Sequence, residues 1–519
     1  MRCVAGAGLW MLVGCNQVFG LHKTEPYDAM PDVIPDRAYV KLTWQVADVL
    51  PSGDPDPLIV DAPIDPPPVV RYAALGQPLQ DTTYSASDGS VLVAREFFTA
   101  LPGGGLPTWR LEYTLSGGVP HEVQWSPEDK HGQLTVPLFG RAMRNPVPVG
   151  GGYSFTPDLA PATFQSPHIF TTGQWSEGLI PGYDPSAGAA IDYDFFNAAA
   201  MSGGRARPEP TLGDRAFLID YAFDGGCRHA TGSAVLDSAA IEAGKHSLPA
   251  ASWDNSTRAV DSDPVSLATQ SRMLTALGRL HDDPKVPGTL SGTLSLGIAA
   301  NINMPALTGV PPATVLPTLT LLPAPVMITL LQCAYDVMPL PAVAQPPALD
   351  SFSRLLNVQL VSKREVLGVA LASGMETAIA SPVSSKLKLT FPAAIPTQIT
   401  LATPTNPTLS LESSDEQIDI GPAGKPLTLT FVSDTADSSA DYYDVTLFQL
   451  DGRALVAKRI YTVTAPQVAI DGAVLSAGAT YVFQIRSFKG HPDAHTGDFR
   501  PVSFPYGSAI VFTRTFHTS

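Results

Sequence analysis

Short runs of alternating apolar and polar residues, each cut off by glycine, proline or aspartate, fill most of this chain. Ser90-Val91-Leu92-Val93-Ala94-Arg95, Trp109-Arg110-Leu111-Glu112-Tyr113-Thr114 and Glu122-Val123-Gln124-Trp125 are examples. Thr289 to Leu296 and residues 355–361 and 386–391 continue the pattern. Period two sends successive side chains to opposite faces of a strand. The 519 residues include 50 prolines and 43 glycines. An interior proline costs a helix about 3 kcal/mol, so long helices have little room here. Short strands at roughly ten-residue spacing, separated by turn residues, predict an all-β fold of tandem antiparallel β-sandwich domains. One helix is expected, over Ser266 to Leu280, where Leu267, Leu274 and Leu277 share a face.

Charge narrows the function. The chain holds 48 acids against 32 bases, a net charge of −16. A nucleic-acid binder needs a basic footprint, so that class of partner is not expected. Val286 to Tyr335 carries no Asp, Glu, Lys or Arg, but prolines interrupt it repeatedly. Its proline-free apolar pieces fall short of the 20 or so residues that a spanning helix needs, so buried strands are the expectation there.

The first residues carry an address. Arg2 precedes eleven uncharged, mostly apolar residues, Cys3 to Val13, and the run ends in Leu12-Val13-Gly14-Cys15. An apolar core of that length fits a signal peptide and is too short to span a bilayer. The four closing residues resemble the lipobox of bacterial lipoproteins. That resemblance implies cleavage before Cys15, acylation of its thiol and new amino group, and a membrane anchor through the lipid. Two or more acyl chains hold a protein on a membrane stably, at about 0.8 kcal/mol per buried CH₂. Asn16 stands where an aspartate is the usual inner-membrane retention signal of Gram-negative lipoproteins. The resemblance therefore implies the outer membrane.

Pro26 to Pro68 holds ten prolines, eight aspartates and two bases. Such a stretch buries too little apolar surface to fold and reads as a tether. Tyr39 to Val46 interrupts it with period-two alternation and reads as an early strand. The expected organisation is a signal peptide over 1–14, a tether over 15–68 and a β-sandwich over 69–155. A β-rich domain over 156–300 and another, or its continuation, over 301–398 follow. The last domain spans 399–519.

That last domain is the clearest. Leu427 to Phe431 and Tyr443 to Leu450 alternate, Val468-Ala469-Ile470 follows, and Leu475 lies six residues before Tyr481. This order and spacing resemble a fibronectin type III domain, so an Ig- or fibronectin III-like sandwich is implied. In that family the leucine packs in the core, and the tyrosine hydroxyl bonds to nearby backbone as a tyrosine corner. Phe431 stands where the family usually has tryptophan.

Four cysteines are present. The lipobox resemblance implies that Cys3 leaves with the signal and that Cys15 carries the lipid. Cys227 and Cys333 remain, and in an oxidising compartment they can pair or stay as two buried thiols. No Cys/His zinc spacing occurs. There is also no G-x-S-x-G elbow, H-E-x-x-H, phosphate-binding loop or strand-linked dinucleotide fingerprint. His491, Asp493, His495 and Asp498 crowd one loop, but Pro492 and Gly497 forbid a shared helical face. The acid pairs Asp192/Asp194, Asp261/Asp263 and Asp282/Asp283 read as solvated turns. Asp434, Asp437 and Asp441 lack calcium-loop spacing. Trp109, Trp125, Trp175 and Trp253 suit a strand core better than a sugar platform.

No catalytic, metal or cofactor residue is thus assigned, and no cofactor is expected. The function expected is a lipid-anchored envelope or cell-surface protein that binds, adheres or acts as a scaffold without catalysis. Its partners are the membrane and an unidentified protein or glycan. The alternatives are a carbohydrate-binding surface protein and a secreted hydrolase with scattered site residues.

Overall fold

The computed structural model describes residues 37–48, 58–64, 67–94, 108–114, 118–125, 139–140, 152–155, 165–171, 176–179, 191–194, 216–236, 245–247, 254–258, 290–299, 328–334, 341–344, 353–381, 393–412, 417–433, 440–496, 503 and 505–519. Among them the fold is all-β, and the helical segments are single 3₁₀ turns at Gly472–Val474 and Ala494–Thr496. The helix expected over Ser266 to Leu280 lies outside the described residues.

The strands used below are numbered in chain order. The first six are β1 (Arg37–Lys41), β2 (Val69–Ala74), β3 (Gln80–Thr82), β4 (Ser90–Ala94), β5 (Trp109–Thr114) and β6 (His121–Trp125). Then come β7 (Pro167–Thr171), β8 (Ala216–Asp224), β9 (Cys227–Leu236), β10 (Leu290–Ala299), β11 (Ile328–Ala334), β12 (Ser353–Val366) and β13 (Val369–Ser381). The C-terminal set is β14 (Pro396–Ala402), β15 (Leu427–Ser433), β16 (Tyr442–Asp451), β17 (Ala454–Val463), β18 (Gln467–Ile470), β19 (Thr480–Lys489) and β20 (Tyr506–Phe512).

The C-terminal set is a two-sheet sandwich. One sheet has the order Leu409–Ser410, β14, β15, β18. The other pairs β20, β19, β16 and β17 antiparallel. Alternation decides which side chains meet between the sheets. Leu427, Leu429, Phe431, Val468 and Ile470 face Val445, Leu447, Tyr461, Tyr481, Phe483, Ile485 and Val511 in one core. Phe431 lies edge-on to Tyr443 in this core, ring centroids 4.8 Å apart.

The sandwich does not stand alone on a string. β13 pairs antiparallel with β20, aligning Gly374–Ala378 with Ile510–Tyr506. At the opposite edge β6 pairs parallel with β17, aligning His121–Gln124 with Ile460–Val463. Beyond β13 the ladder runs through β12, β10, β11, β9, β8 and β7. Beyond β6 it runs through β5, β2 and β3. Exposed edges are templates for unwanted pairing, and both edges of this sheet of the sandwich are occupied by other parts of the same chain.

The outer face of that sheet is covered as well. Phe448, Val482, Ile510 and Phe512 pack with Val366, Val369 and Leu371. Tyr442, Phe488 and Tyr506 pack with Leu111, Tyr113, Val123, Val40, Leu42, Val91 and Val93. The last four belong to a second layer in which β1 pairs with β4. Val40 and Leu42, in the stretch of 15–68 that reads as an early strand, are fully buried. Eight aspartates and ten prolines dominate the average of the segment, whereas folding follows the local alternation around Val40 and Leu42.

Candidate functional site: a buried charge network where the sheet changes modules

Where β6 meets β17, the polar halves of four alternating strands converge. Arg71 on β2, Glu112 on β5, Glu122 on β6 and Tyr461 on β17 are successive partners across the ladder. Two carboxylates directly opposite one another repel. The structure places cations around them. Arg459 Nη1 lies 2.6 Å from Glu112 Oε2 and 2.7 Å from Glu122 Oε2. Arg71 pairs with Glu112 from the other side. Arg110 reaches Glu122 at 3.8 Å and Asp471 at 3.7 Å. Three cations thus face three anions. The Glu112 and Glu122 side chains are only 2% and 1% exposed.

Gln124 completes the seam. Its amide nitrogen donates to the Ala469 carbonyl at 2.6 Å and to Glu122 Oε1 at 2.9 Å. Its amide oxygen accepts from the Ala469 N–H at 3.0 Å. A side-chain amide therefore acts as the missing neighbour of edge strand β18. Burial alone would weaken the hold of Arg459 on its proton. The carboxylates of Glu112 and Glu122 pull the other way, and its pKa is raised on balance. Burial, followed by the nearby Glu122, pushes the Tyr461 hydroxyl well above the ordinary tyrosine range. The arrangement is a lock between modules. It offers a fixed, charge-neutral seam and presents no nucleophile–base pair.

The residues singled out from sequence fall in several places. A disulfide joins Cys227 and Cys333, which are register partners on β9 and β11 with Cα atoms 4.1 Å apart. Both are buried, at 3% and 1% exposure. Leu475 is in the core, and the Tyr481 hydroxyl accepts a hydrogen bond from Ser476 N at 2.6 Å. Replacing Tyr481 by phenylalanine removes that acceptor. Ser476 is exposed, so water can replace it, and the expected cost is the net worth of one hydrogen bond, about 0.5–1.5 kcal/mol. Denaturant unfolding should show a lower midpoint with an unchanged slope.

The loop histidines do not share a site. His491 is buried and sits edge-on against Tyr442, Phe488 and Tyr506. His495 is exposed, with Nδ1 2.9 Å from the Pro492 carbonyl. Asp441 spends its carboxylate on Lys489 Nζ and on the backbone N–H groups of Gly490 and His491, each at 2.8 Å. Asp192 and Asp194 lie opposite Ser154 and Gly152 in a small strand pair. Trp109 and Trp125 are cross-strand partners at 6% and 2% exposure, which leaves no sugar platform at either. Among the described residues no group of three or more His, Cys, Asp or Glu gathers in metal-binding geometry. No helix there is long and apolar enough to cross a membrane. Cys15, Trp175, Trp253, Asp261, Asp263, Asp282, Asp283, Asp434, Asp437 and Asp498 lie outside the described residues.

The charge network escaped sequence reasoning because Arg459 and Ala469 lie more than 330 residues along the chain from Glu122 and Gln124. One signal was present. Glu112 and Glu122 belong to neighbouring short alternating runs with only a few residues between them. Antiparallel pairing brings such acids together, which calls for a cation from elsewhere.

No protein-family model matches the chain, and no curated protein does. Among solved structures it is similar to the FN1–FN3 domains of chicken CNTN1, at 7% identity over 91% of this chain and 99% of that one, with a TM-score of 0.14. At that level neither fold detail nor function transfers.

Proposed function

We propose that the chain is a lipid-anchored protein of the bacterial cell envelope whose β-sheet body works by binding or spacing rather than by catalysis. The observation that carries this reading is the disulfide between Cys227 and Cys333. Disulfides persist in oxidising compartments and are rare in the cytosol. An exported chain is what Leu12-Val13-Gly14-Cys15, read as a lipobox, requires. The body also suits a spacer. Its central sheet is closed at both edges by its own strands, and a neutral charge lock ties distant segments together. The fibronectin type III-like reading of residues 399–519 belongs to the same proposal, as do the outer membrane as destination and a protein or glycan as partner.

Mass spectrometry of the chain purified from a Gram-negative host should find an N-terminal peptide that starts at Cys15 and carries acyl chains. Globomycin should block the cleavage. Cys15→Ala should move the protein from the membrane fraction to the soluble one. A wild-type protein with an unmodified Cys15 thiol and no membrane association overturns the anchor.

A further inference from the structure

Glu376 sits in the middle of β13, where the β12–β13 hairpin joins β20 of the C-terminal sandwich. It is fully buried. Its register partners are Gln359 on β12 and Ser508 on β20. Asn357 Nδ2 donates to Glu376 Oε1 at 2.8 Å. The other carboxyl oxygen, Oε2, has no donor, and Asn357 Oδ1 has none either. A carboxylate with an idle buried oxygen, bonded through its other oxygen to a carboxamide whose own oxygen is also idle, is a costly arrangement. One proton on Oε2 removes both defects. The acid then accepts from the amide N–H and donates to the amide oxygen, closing a two-bond ring.

The geometry points to a neutral carboxylic acid–carboxamide pair, Glu376 with Asn357, as a proton-dependent clasp that fastens the β12–β13 hairpin to the edge of the sandwich. The charged and titratable groups around it agree. Gln359 also hydrogen-bonds the acid from β12, and Arg486 on β19 is the cation that acts on it. Arg486 is a ladder partner of Asp444 on β16, and the Asp444 carboxylate also draws on it. Tyr506 on β20 is neutral, its pKa raised by burial first and by Glu376 second. Burial pushes the Glu376 carboxyl up to about 8, against the pull of Asn357, Gln359 and Arg486. The native state thus keeps a proton that the unfolded chain releases near 4.5. Stability from this group is complete below that value and is lost as pH rises through 8. His121, depressed to about 4 by burial, works in the opposite sense, but only below its ordinary 6.5. The window from pH 6.5 to 8 therefore belongs to Glu376 rather than to His121.

Hydrogen exchange of the full chain in detergent tests this, after correction for the intrinsic pH dependence of exchange. Protection of the amides that join Gly374–Ala378 to Tyr506–Ile510 should fall roughly tenfold between pH 6.5 and 8. Glu376→Gln keeps an amide-shaped group without a titrating proton, so its protection should stay flat across the window. Equal slopes in the two proteins overturn the clasp. If the variant does not fold, ¹³C labelling of glutamate alone in the wild type decides, because it leaves Asp444 silent. One glutamate carboxyl still protonated at pH 6.5 is expected, and none overturns the proposal.

Discussion

Arg459→Met should destabilise the chain by about 3–5 kcal/mol, the range for removing one partner of a buried ion pair. Methionine keeps most of the apolar stem, so the loss is electrostatic rather than a cavity. What remains is Glu122 at 1% exposure, with Arg110 at 3.8 Å and the Gln124 amide at 2.9 Å as its nearby help. Glu112 keeps Arg71, whose side chain is 39% exposed. Glu122 is therefore the charge left stranded, and Glu122→Gln in the Arg459→Met background should restore most of the loss. Urea unfolding of the four proteins in the cycle gives the coupling directly. A cost for Arg459→Met below about 1 kcal/mol would mean that the seam is hydrated like a surface pair. The same experiment reads assembly. If β6 leaves the edge of β17, the sandwich regains an open strand edge, so the variant should also aggregate more readily than wild type.

That expectation rests on residues whose role the sequence hides. Trp109 to Thr114 alternates cleanly, and alternation normally means one face in the core and one in water. Here Trp109, Leu111 and Tyr113 face one core while Arg110 and Glu112 are buried on the other side. The polar half of the pattern marks a second contact, made with residues 459–471. Local periodicity reports that a strand exists and which side chains share a face. It does not report what each face meets. The C-terminal sandwich was more legible because its core is built from near neighbours. Leu427, Leu429 and Phe431 oppose Val468 and Ile470 on the next strand of the same sheet, within about one module of chain. The Asn357–Glu376 pair was illegible for a different reason. It depends on a missing donor at one atom, and no sequence pattern encodes that.

Converting Cys227 and Cys333 together to alanine should cost about 3–5 kcal/mol. The bond closes a separation of 106 residues, and the chain-entropy model assigns a loop of that size about 4.7 kcal/mol. The local structure argues for the upper part of this range. β9 and β11 pair over Cys227–His229 and Leu331–Cys333 alone, so few ladder bonds hold that joint without the crosslink. Both positions lie in the main core beside Tyr221, Leu294 and Leu331. Alanine avoids the two buried hydroxyls that serine would leave, which would confuse a crosslink effect with a desolvation cost. At 3% and 1% exposure the sulfurs are shielded. Reductant should therefore leave the native wild type intact and act once denaturant opens the core. Peptide mapping without reductant should recover Cys227 and Cys333 as one linked species. Guanidinium unfolding of wild type, reduced wild type and the double variant should then place the last two together, well below the first. If all three unfold at the same midpoint, the 106-residue separation is already constrained by packing in the unfolded ensemble, and the bond contributes little beyond it.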